Sequence, residues 1–370
     1  MGYSTLNIIG RSKRKPLKIS ADRRVVQTPV RKFSVTIFIP CFNEESTIAQ
    51  CIESCLAQEY KANNIVVIDD SSTDNTPRIL KRFGDKITVV RTPKNTGNKS
   101  HAQEFGFKGA KTDLMVTTDA DTILHPEFLG RIVKNFDDPK VVAAGGYVRS
   151  MKYNWLTRAR AVDYVVGQNI HKLAQSYLGF MFVIPGAAGA FRTKVFQDHL
   201  TFDHDTITED LDFTYKLHKR GLKIAYDRSA VVFTQDPTSL YSYINQMRRW
   251  FGGGWQNLSK HLDVATMHPA QTLELSLMYI EGLVFATLLF VIPLLNITFA
   301  LYFIVPYLLI TSLFSIYAAI HERRGDLLLN PVPYLFLMYI NAYIFIEQFI
   351  KEFVLRKKNL VWFKPERISL

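Results

Sequence analysis

The sequence predicts an α/β domain with a mostly parallel sheet, followed by interfacial and transmembrane helices, and three observations carry this prediction. From residue 34 to residue 236, apolar strands alternate with helical segments, which is the pattern of βαβ units. The strand interiors are apolar on both faces, as buried parallel strands are. From Leu275 to Ile320 the only formal charge is Glu281, and at ~20 residues per crossing this stretch accommodates two membrane helices.

Local signals predict the elements of the α/β domain. Asn43 and the acids that follow it are expected to open the first helix, since such residues satisfy the free N–H groups of a first turn. Gly221 is expected to end the last helix. In chain order the predicted elements are strand VTIFIP, helix NEESTIAQCIESCLAQ, strand IVVIDD, helix SSTDNTPRILKRF, strand KITVVRT, helix HAQEFGFKGA, strand DLMVTTDAD, helix HPEFLGRIVKNF, strand VVAAGGYVRS, a helical stretch at 154–180, a turn and strand in GAAGAFRTKVF, helix TEDLDFTYKLHKRG and strand IAYDRSAVVFTQ.

The remainder of the chain is predicted to meet a membrane. Aromatic and basic side chains interleave over residues 237–262, as in an interfacial helix. Two transmembrane helices follow, divided near Pro293–Asn296, and basic residues on both sides of the pair place the α/β domain in the cytoplasm. Residues 331–350 are also long enough to cross. A crossing would carry the basic cluster after them to the outside, so we expect an interfacial or re-entrant helix instead.

Composition limits the class of protein. The formal net charge is +12, and the 370 residues are 48% hydrophobic with 26 Phe and 17 Tyr. Beside apolar segments, this basicity indicates anionic lipid headgroups or pyrophosphate as partners, and we expect no nucleic acid. No apolar signal segment stands in the first 33 residues, so insertion is expected to rely on the later helices. Cys41, Cys51 and Cys55 have no metal-ligand spacing, which predicts buried free thiols in a reducing compartment.

The predicted organisation has six parts. They are a basic leader (1–33), the α/β domain (34–236), interfacial helices (237–270), two transmembrane helices (271–320), a third apolar helix (327–355) and a cytoplasmic tail (356–370). The protein is therefore expected to be an integral protein of the cell membrane.

Acidic motifs end two of the predicted strands, where a parallel sheet presents ligand-binding side chains. The spacing of Asp119 and Asp121 in TTDADT points both carboxylates to one side of an extended chain. Such a pair can hold the hard cations Mg²⁺ or Mn²⁺ on a diphosphate, although acidic caps of a turn are the alternative interpretation. The candidate donor-binding residues at this sheet edge are Pro40, Asn43, Glu44, Asp69, Asp70, Lys99 and Asp119.

Further along the chain, two motifs could serve the chemistry of transfer. Glu209 and Asp210 open a helix, where the dipole favours carboxylates in any case, and Asp210 could take a proton from an acceptor hydroxyl as general base. QMRRW supplies an amide in Gln246, a permanently charged diphosphate partner in Arg249 and a sugar-stacking ring in Trp250, with a membrane anchor as the alternative. Four such motifs in one order beside a membrane predict sugar transfer from a nucleotide sugar.

These motifs resemble those of the family 2 glycosyltransferases, specifically the membrane-integrated branch that includes hyaluronan, chitin, cellulose and poly-N-acetylglucosamine synthases. The resemblance covers residues 34–262 and rests on Asp70, Asp119, Asp121, Thr208, Glu209, Asp210, Gln246, Arg249 and Trp250. It implies a GT-A fold, a UDP-sugar donor, Mg²⁺ or Mn²⁺, and inversion at the anomeric carbon, with Asp210 as base and Trp250 stacked on the acceptor sugar.

The segment VWFKPER near the end of the chain is similar to the Trp-containing segment that closes over the nucleotide in many of these synthases. This similarity implies a gating role for Trp362, Lys364 and Arg367. The resemblance also has a departure, because no hydrophobic helix stands before residue 34. We therefore expect secretion of a polymer to require accessory subunits or self-association.

The leading hypothesis is a membrane-bound inverting β-glycosyltransferase that builds a polysaccharide from a UDP-sugar on a glycan or lipid-linked acceptor. The alternative is transfer of a single sugar to a lipid, because ceramide glucosyltransferases share the Q-x-x-R-W motif. Nucleotidylyl transfer is disfavoured because IPCFNEE is not the Gly-rich basic loop that it requires. A non-catalytic membrane scaffold is disfavoured because it does not need a full set of metal ligands and a base.

Overall fold

The computed structural model describes residues 32–197, 202–264, 267, 269–358, 360 and 363–368, and the account below concerns these residues. The predicted basic leader lies outside them except at residues 32–33. Trp362 of the predicted gating tail also lies outside them.

The strands belong to a single mixed sheet. They are β1 (Val35–Cys41), β2 (Asn64–Asp69), β3 (Thr88–Arg91), β4 (Leu114–Thr117), β5 (Thr122–Leu124), β6 (Val141–Ser150), β7 (Gly189–Arg192) and β8 (Lys223–Thr234). Across the described part of the chain the sheet has eight strands in the order β3-β2-β1-β4-β7-β6-β8-β5. Strands β1 to β4 are parallel to one another, as are β6 and β8, while β5 and β7 run antiparallel to their neighbours. The predicted α/β class with a mostly parallel sheet is confirmed.

The carboxyl ends of β1, β2 and β4 lie side by side at one edge of this sheet. Pro40 stands opposite Ile68 in the parallel register, and the backbone N–H of Thr118, directly after β4, donates to the carbonyl of Phe38 at 3.1 Å. The acidic motifs that follow β2 and β4 therefore meet at the same edge, as the strand pattern predicts.

Helices cover both faces of the sheet and continue beyond it. They are α1 (Ile48–Leu56), α2 (Thr76–Leu80), α3 (Lys99–Phe107), α4 (Phe128–Lys134), α5 (Trp155–Val166), α6 (Lys172–Leu178), α7 (Thr193–Gln197), α8 (Glu209–Lys219), α9 (Leu240–Lys260), α10 (Pro269–Ser276), α11 (Gly282–Leu295), α12 (Ile297–Glu322) and α13 (Pro331–Phe349). Short 3₁₀ turns lie at Lys81–Lys86, Asn135–Asp137, Gly186–Ala188 and Gly325–Leu329, and π-helical turns at Gly167–His171, Leu277–Glu281 and Ile350–Val354.

The two faces of the sheet have separate hydrophobic cores. Helices α1 and α4 pack on one face through Ile52 and Phe128, and α3 and α8 pack on the other through Phe107 and Phe213. This two-sided cover is the reason that the central strands are apolar on both faces. All three cysteines are buried free thiols, as expected.

Several helix starts differ from the sequence prediction, and two of these differences concern candidate site residues. Helix α1 begins at Ile48, not at Asn43, whose φ of 55° is left-handed, a conformation that asparagine tolerates better than most residues. The Asn43 side chain instead accepts hydrogen bonds from the N–H groups of Thr73 at 2.8 Å and Asp74 at 3.3 Å. Lys99, expected in a loop, is the first residue of α3, so its side chain projects from a helical turn.

The apolar C-terminal region folds back toward the α/β domain. By length and composition, three helical segments in the described ranges could cross a membrane, Gln271–Leu295, Thr298–Glu322 and Pro331–Val354. The first two divide at Asn296, as predicted. The pair starts and ends beside the α/β domain, because Tyr279 packs on Trp255 of α9 with ring centroids 4.8 Å apart and Glu322 Oε2 lies 3.2 Å from Arg149 Nε of β6.

Helix α9 joins the α/β domain to the apolar helices through three consecutive glycines, Gly252 to Gly254. Methyl groups added to them would meet, in turn, Gln348, Thr208 and Tyr279. The closest approach is at Gly253, where the methyl carbon would lie 2.9 Å from Thr208 Cβ and nearer still to the ends of that side chain. Asn257, one turn later, donates its amide to Thr208 Oγ1 at 2.9 Å. The glycine face therefore fixes α9 against the residue that precedes α8.

We expect Gly253→Ala to destabilise the protein by about 1–3 kcal/mol or more, because the added methyl overlaps a packed side chain. The measurement is the midpoint of thermal unfolding of the purified full-length protein. Gly167→Ala is the matched control, since its methyl would meet nothing within 4 Å and alanine is favoured over glycine in a helix by about 1 kcal/mol. Equal behaviour of the two variants would contradict the close packing of α9.

Candidate active site

A cavity of about 550 Å³ begins at the carboxyl edge of the sheet and continues along α9. The residues predicted for the site that line it are Pro40, Glu44, Asp70, Lys99, Asp119, Asp121, Glu209, Asp210, Gln246, Arg249, Trp250, Lys364 and Arg367. Asn43 and Asp69 are not among the lining residues. We call the part around Glu44, Asp70, Asp119 and Asp121 the sheet-edge half, and the part around Asp163, Tyr164, Gln168, Lys172 and Trp250 the helical half.

Neighbouring Asp69 and Asp70 face different surroundings, because successive residues of an extended chain point to opposite sides. Asp69 is buried and forms an ion pair with Arg91 of β3, so its carboxylate holds two strand ends together. Asp70 faces the cavity, where its carboxylate accepts from the hydroxyl of Thr92 at 2.8 Å and from the N–H of Thr96 at 3.1 Å. Of the two, only Asp70 is placed where a ligand in the cavity could reach it.

Asp119 and Asp121 each face a cationic side chain. Lys99 Nζ lies 2.5 Å from Asp119 Oδ1, and Arg367 Nη2 lies 2.5 Å from Asp121 Oδ2. Burial opposes the charge of Asp119, but Lys99 together with Arg249 and Arg367 outweighs burial and lowers the pKa of Asp119. At Asp121 burial prevails over Arg367 and raises the pKa. The pair thus presents hard oxygen atoms to the cavity at a place where positive charge is already held.

The C-terminal segment 363–368 closes the sheet-edge half. Lys364 Nζ donates to the carbonyl of Phe42 at 2.9 Å and lies 3.4 Å from Glu44 Oε1. The side-chain amide of Gln235, just after β8, exchanges hydrogen bonds of 2.8 Å and 3.1 Å with the backbone of Ile368. Burial raises the pKa of Glu44, although the two cations of the segment oppose the rise. The segment is therefore attached to the ends of both β1 and β8.

Asp210 stands where the two halves of the cavity join. Burial and the neighbouring Glu209 raise the pKa of Asp210 to about 6, although Lys99 and Arg249 oppose the rise. A methyl group on Gly186 would lie 3.8 Å from Asp210 Oδ2 and 3.0 Å from Lys99 Nζ, so this glycine leaves space beside both groups. A carboxylate with a pKa near neutrality beside open space is suited to accept a proton.

Trp250 lies between the helical half and a buried arginine. The Arg160 guanidinium of α5 is 4.9 Å from the centroid of the Trp250 ring, and Arg160 is only 5% exposed. Arg160 also forms ion pairs with Asp163 at 2.8 Å and Asp236 at 3.6 Å. Burial raises the pKa of Asp163 to about 6 and also raises that of Asp236. This arginine therefore pairs with two carboxylates and lies over one face of the tryptophan.

The sequence analysis missed Arg160, Asp163, Lys172 and Asp236. Asp236 follows the end of β8, so the strand-end rule that identified Asp119 would have found it too. The other three lie in the helical stretch at 154–180, where no motif marks them. Asp163 and Lys172 reach the cavity, and Arg160 reaches the Trp250 ring, because α5 packs on β6 and α6 on β8, which no local pattern encodes.

A second acidic cluster lies outside the cavity. Asp203, Asp205 and Asp212 each bring a carboxylate oxygen close enough to share a cation. Lys260 Nζ already occupies that position, at 2.6 Å, 2.6 Å and 2.8 Å from the three residues. The cluster therefore joins α8 to the end of α9 by ion pairs, and the residues that fit a divalent cation at the cavity are Asp119 and Asp121.

Comparisons with known proteins identify relatives of this chain. A family model described as "Glycosyltransferase like family 2" matches residues 32–253. The poly-beta-1,6-N-acetyl-D-glucosamine synthase of Staphylococcus aureus (strain COL) is 31% identical over 228 residues, which are 60% of this chain and 55% of that protein. The synthase of the same name from Staphylococcus epidermidis is 28% identical over the same length. The chain thus spans about half the length of the curated relatives that it matches.

A solved structure has a similar fold. The mannosyltransferase PcManGT from Pyrobaculum calidifontis, in complex with GDP-Man and Mn²⁺, superposes with a TM-score of 0.62. The match covers 88% of this chain and 89% of that chain at 22% sequence identity. At this identity the likeness shows the fold.

We expect Arg160→Met to destabilise the protein by about 3–5 kcal/mol, because it leaves Asp163 and Asp236 without their cation. The folded-state pKa values of both acids are raised, so protonation relieves the unpaired charge in the fold before it does so in the unfolded chain. The loss should therefore be larger near pH 8 than near pH 5, as measured by thermal unfolding across pH.

The matched control is Arg158→Met on the same helix, whose guanidinium bonds to the neutral amide of Asn330 at 3.2 Å. Its loss should stay near about 1 kcal/mol and should not depend on the protonation of Asp163. Equal, pH-independent losses in the two variants would contradict the charge pairing described for Arg160.

Proposed function

The chain belongs to glycosyltransferase family 2, and we propose that it is a membrane-bound inverting β-glycosyltransferase that builds a polysaccharide from a UDP-sugar. The observation that carries this proposal is the continuity of the cavity. It runs from the strand-end carboxylates past Asp210 to Trp250, and its far wall packs on apolar helices long enough to cross a membrane. Donor, base and acceptor would thus lie along one path beside the apolar helices.

The sheet-edge half is proposed to bind the nucleotide. Asp70 and Glu44 would contact the nucleoside beside Pro40, and Lys99 and Arg249 would meet the diphosphate as permanent or strongly stabilised cations. Neighbouring Asp119 and Glu209 keep the pKa of Lys99 above its usual value, although burial works against them. Lys99 therefore stays charged across the physiological range.

Asp119 and Asp121 would hold Mg²⁺ or Mn²⁺, and their carboxylates fit because hard oxygen donors suit these ions. A bound cation would neutralise the charge that grows on the diphosphate leaving group. The Mn²⁺ named with the mannosyltransferase of the same fold supports this assignment. Arg367 would then separate from Asp121. The attachment of segment 363–368 would therefore depend on whether the sheet-edge half holds a cation.

Asp210 is proposed to be the general base. Its carboxylate would take the proton from the acceptor hydroxyl as that oxygen attacks the anomeric carbon from the face opposite the diphosphate, which inverts the configuration. Glu209 and Lys99 lie 3.5 Å apart beside it and set its charge environment. Gly186 leaves room for the attacking hydroxyl, since a side chain there would approach both Asp210 and Lys99.

Trp250 and Gln246 are proposed to bind the acceptor sugar. The Arg160 guanidinium lies over one face of the Trp250 ring, 4.9 Å from its centroid. The part of the ring that lines the cavity would offer a stacking surface to a sugar. Gln246 is buried, and its Oε1 has no hydrogen-bond partner among the described residues, so it can accept from a sugar hydroxyl. Stacking on Trp250 and a hydrogen bond to Gln246 would orient the acceptor sugar, and neither contact requires a side chain to change its charge.

The membrane arrangement is proposed from the same contacts. Helices α11 and α12 would cross the bilayer as a pair, with the catalytic domain in the cytoplasm. Helix α13 would lie at the interface, because Asn330 before its start bonds to Arg158 of α5 and Glu347 near its end pairs with Arg248 of α9 at 2.8 Å. Both ends of α13 then remain on the side of the catalytic domain, and segment 356–370, with Lys364 and Arg367, can act as a cytoplasmic gate.

Transfer of a single sugar to a lipid-linked acceptor is the second candidate. It is favoured by the packing of α5 on α12, where Val162 and Val166 contact Ala318 and Ala319. This contact holds the helical half of the cavity next to a helix long enough to cross the bilayer. The polysaccharide synthases among the relatives favour the polymer instead.

The proposal is tested by nucleotide release from the purified full-length protein with Mn²⁺ or Mg²⁺ and a panel of UDP-sugars, with GDP-mannose included. We expect one donor to release nucleotide and to label a product of high mass that a glycosidase degrades. A small product extracted into organic solvent would instead establish transfer to a lipid. Absence of nucleotide release with every donor would contradict the enzymatic proposal.

The pH dependence of the same reaction tests the base. Because Asp210 acts as the carboxylate and its pKa is about 6, the rate should be constant above neutrality and fall about tenfold per pH unit below that pKa. Asp210→Asn should reduce the rate by about 10²–10⁴-fold and remove this acidic limb. Asp85→Asn, an exposed carboxylate outside the cavity, is the matched control and should retain the wild-type profile. A full rate in Asp210→Asn would rule out this residue as base.

A further inference from the structure

The helical half of the cavity contains a cation that the proposed mechanism does not use, Lys172 of α6. We propose that Lys172 binds an anionic group of the acceptor, a phosphate or a carboxylate, while the acceptor hydroxyl lies at Asp210. This inference rests on the proposed function, since it names the class of acceptor for the same site.

The charge pairing around the cavity singles out Lys172. Lys99 pairs with Asp119, Lys364 with Glu44, and Arg367 with Asp121, at 2.5–3.4 Å. Behind Trp250, Arg160 pairs with the lining carboxylates Asp163 and Asp236. Lys172, by contrast, has no ion pair or side-chain hydrogen bond with any residue that the structure describes.

Lys172 lines the cavity with a side chain that is partly exposed there. Burial lowers the pKa of Lys172 to about 8, and the attraction of Asp210 opposes that shift. Asp163 and Asp236 are paired with Arg160 instead. A ligand anion in the cavity would reach Lys172 and favour its charged form.

The position of Lys172 in the chain indicates the direction from which that anion comes. Lys172 begins α6 directly after the π-helical turn at Gly167–His171, and Gly167 and Gln168 of that turn line the same half of the cavity. Ile170, Tyr177 and Leu178 around it are 43%, 86% and 53% exposed. Gln175 of α6 bonds to Glu274 of α10, which leads into the first apolar segment. An amphiphilic acceptor that slides along the apolar helices would thus meet apolar side chains first and the ammonium next.

Lys172 would recognise the acceptor by pairing its ammonium group with one oxyanion of the acceptor. A phosphate of a lipid-linked acceptor and a carboxylate of an acidic sugar both satisfy it, and a neutral glycan satisfies it only through hydroxyl oxygens. Charge-assisted hydrogen bonds are roughly twice as strong as neutral ones. The acceptor is therefore expected to be selected by its charge as well as by stacking on Trp250.

The test uses three amphiphiles with the same chain, decyl phosphate, decyl β-glucuronide and decyl β-glucoside, added to the full-length protein in detergent. Binding is measured by the shift in the thermal unfolding midpoint, which does not depend on turnover, and by inhibition of nucleotide release. We expect at least one anionic amphiphile to bind about tenfold tighter than the glucoside. Tighter binding of the phosphate would identify a lipid-phosphate source, and tighter binding of the glucuronide would identify an acidic glycan.

Variants at residue 172 make the assignment specific. Lys172→Gln should bring the three affinities together, Lys172→Arg should keep the preference for the anion, and Lys108→Gln, an exposed lysine outside the cavity, should behave as wild type. The inhibition should not be relieved by an excess of the nucleotide sugar. Inhibition that excess donor relieves and that persists in Lys172→Gln would place the anion on Lys99 and Arg249 and overturn the inference.

The two proposals fail in different ways. Absence of nucleotide release with every donor would contradict the proposed function, whereas the thermal shifts would still report on Lys172. Equal shifts for the anionic and neutral amphiphiles in the wild-type protein, with normal nucleotide release, would overturn the anion site and leave the glycosyltransferase assignment in place.

Discussion

The structure depends on the neutralisation of carboxylates that are crowded around one cavity. A parallel sheet brings Glu44, Asp70, Asp119 and Asp121 to one edge, and α8 adds Glu209 and Asp210. So much negative charge in a partly desolvated space destabilises a fold unless cations or hydrogen-bond donors meet it. Those cations come from elements far apart in the chain, namely Lys99 of α3, Arg249 of α9, and Lys364 and Arg367 of the tail. Their charge interactions connect α3, α9 and the tail to the sheet edge.

Helix α9 connects the charged groups of the cavity to the apolar helices. One face of α9 carries Gln246, Arg249 and Trp250 into the cavity. Its glycine face lies so close to Thr208 that only hydrogen atoms fit, and this contact fixes the start of α8 with Asp210. The same helix stacks Trp255 on Tyr279 at the entrance of the apolar pair. The distance between the proposed base and the membrane helices is therefore set by one rigid element, and the proposed use of a lipid-linked or growing acceptor follows from that arrangement.

Particular residues show how far local patterns lead. The strand-end positions of Asp70 and Asp119 followed from apolar runs that end in acids, and the division of the membrane pair at Asn296 followed from a break in a charge-free stretch. Asn43 did not open a helix, because its side chain instead bonds to the backbone after β2, a contact across 30 residues. Asp69 was expected beside Asp70 at the ligand, but the alternation of an extended chain turns it to Arg91. No sequence pattern marked Arg160 and Lys172 as site residues. A charged residue in a helical stretch is interpreted as part of a solvent-exposed face until its neighbours in space are known.

The sequence by itself determined the α/β class, the edge of the sheet at which the acidic motifs meet, the family, and the length of the apolar helices. These features are periodic or local, and hydrophobic burial and backbone hydrogen bonding impose them wherever the pattern occurs. Only the tertiary structure decided that Asp70 and not Asp69 faces the cavity, which cation pairs with each carboxylate, and that Lys172 has no ion pair among the described residues. Those outcomes depend on distances of 2.5–4 Å between side chains that are up to hundreds of residues apart, and the Coulomb energy that selects among them exists only after the chain has folded.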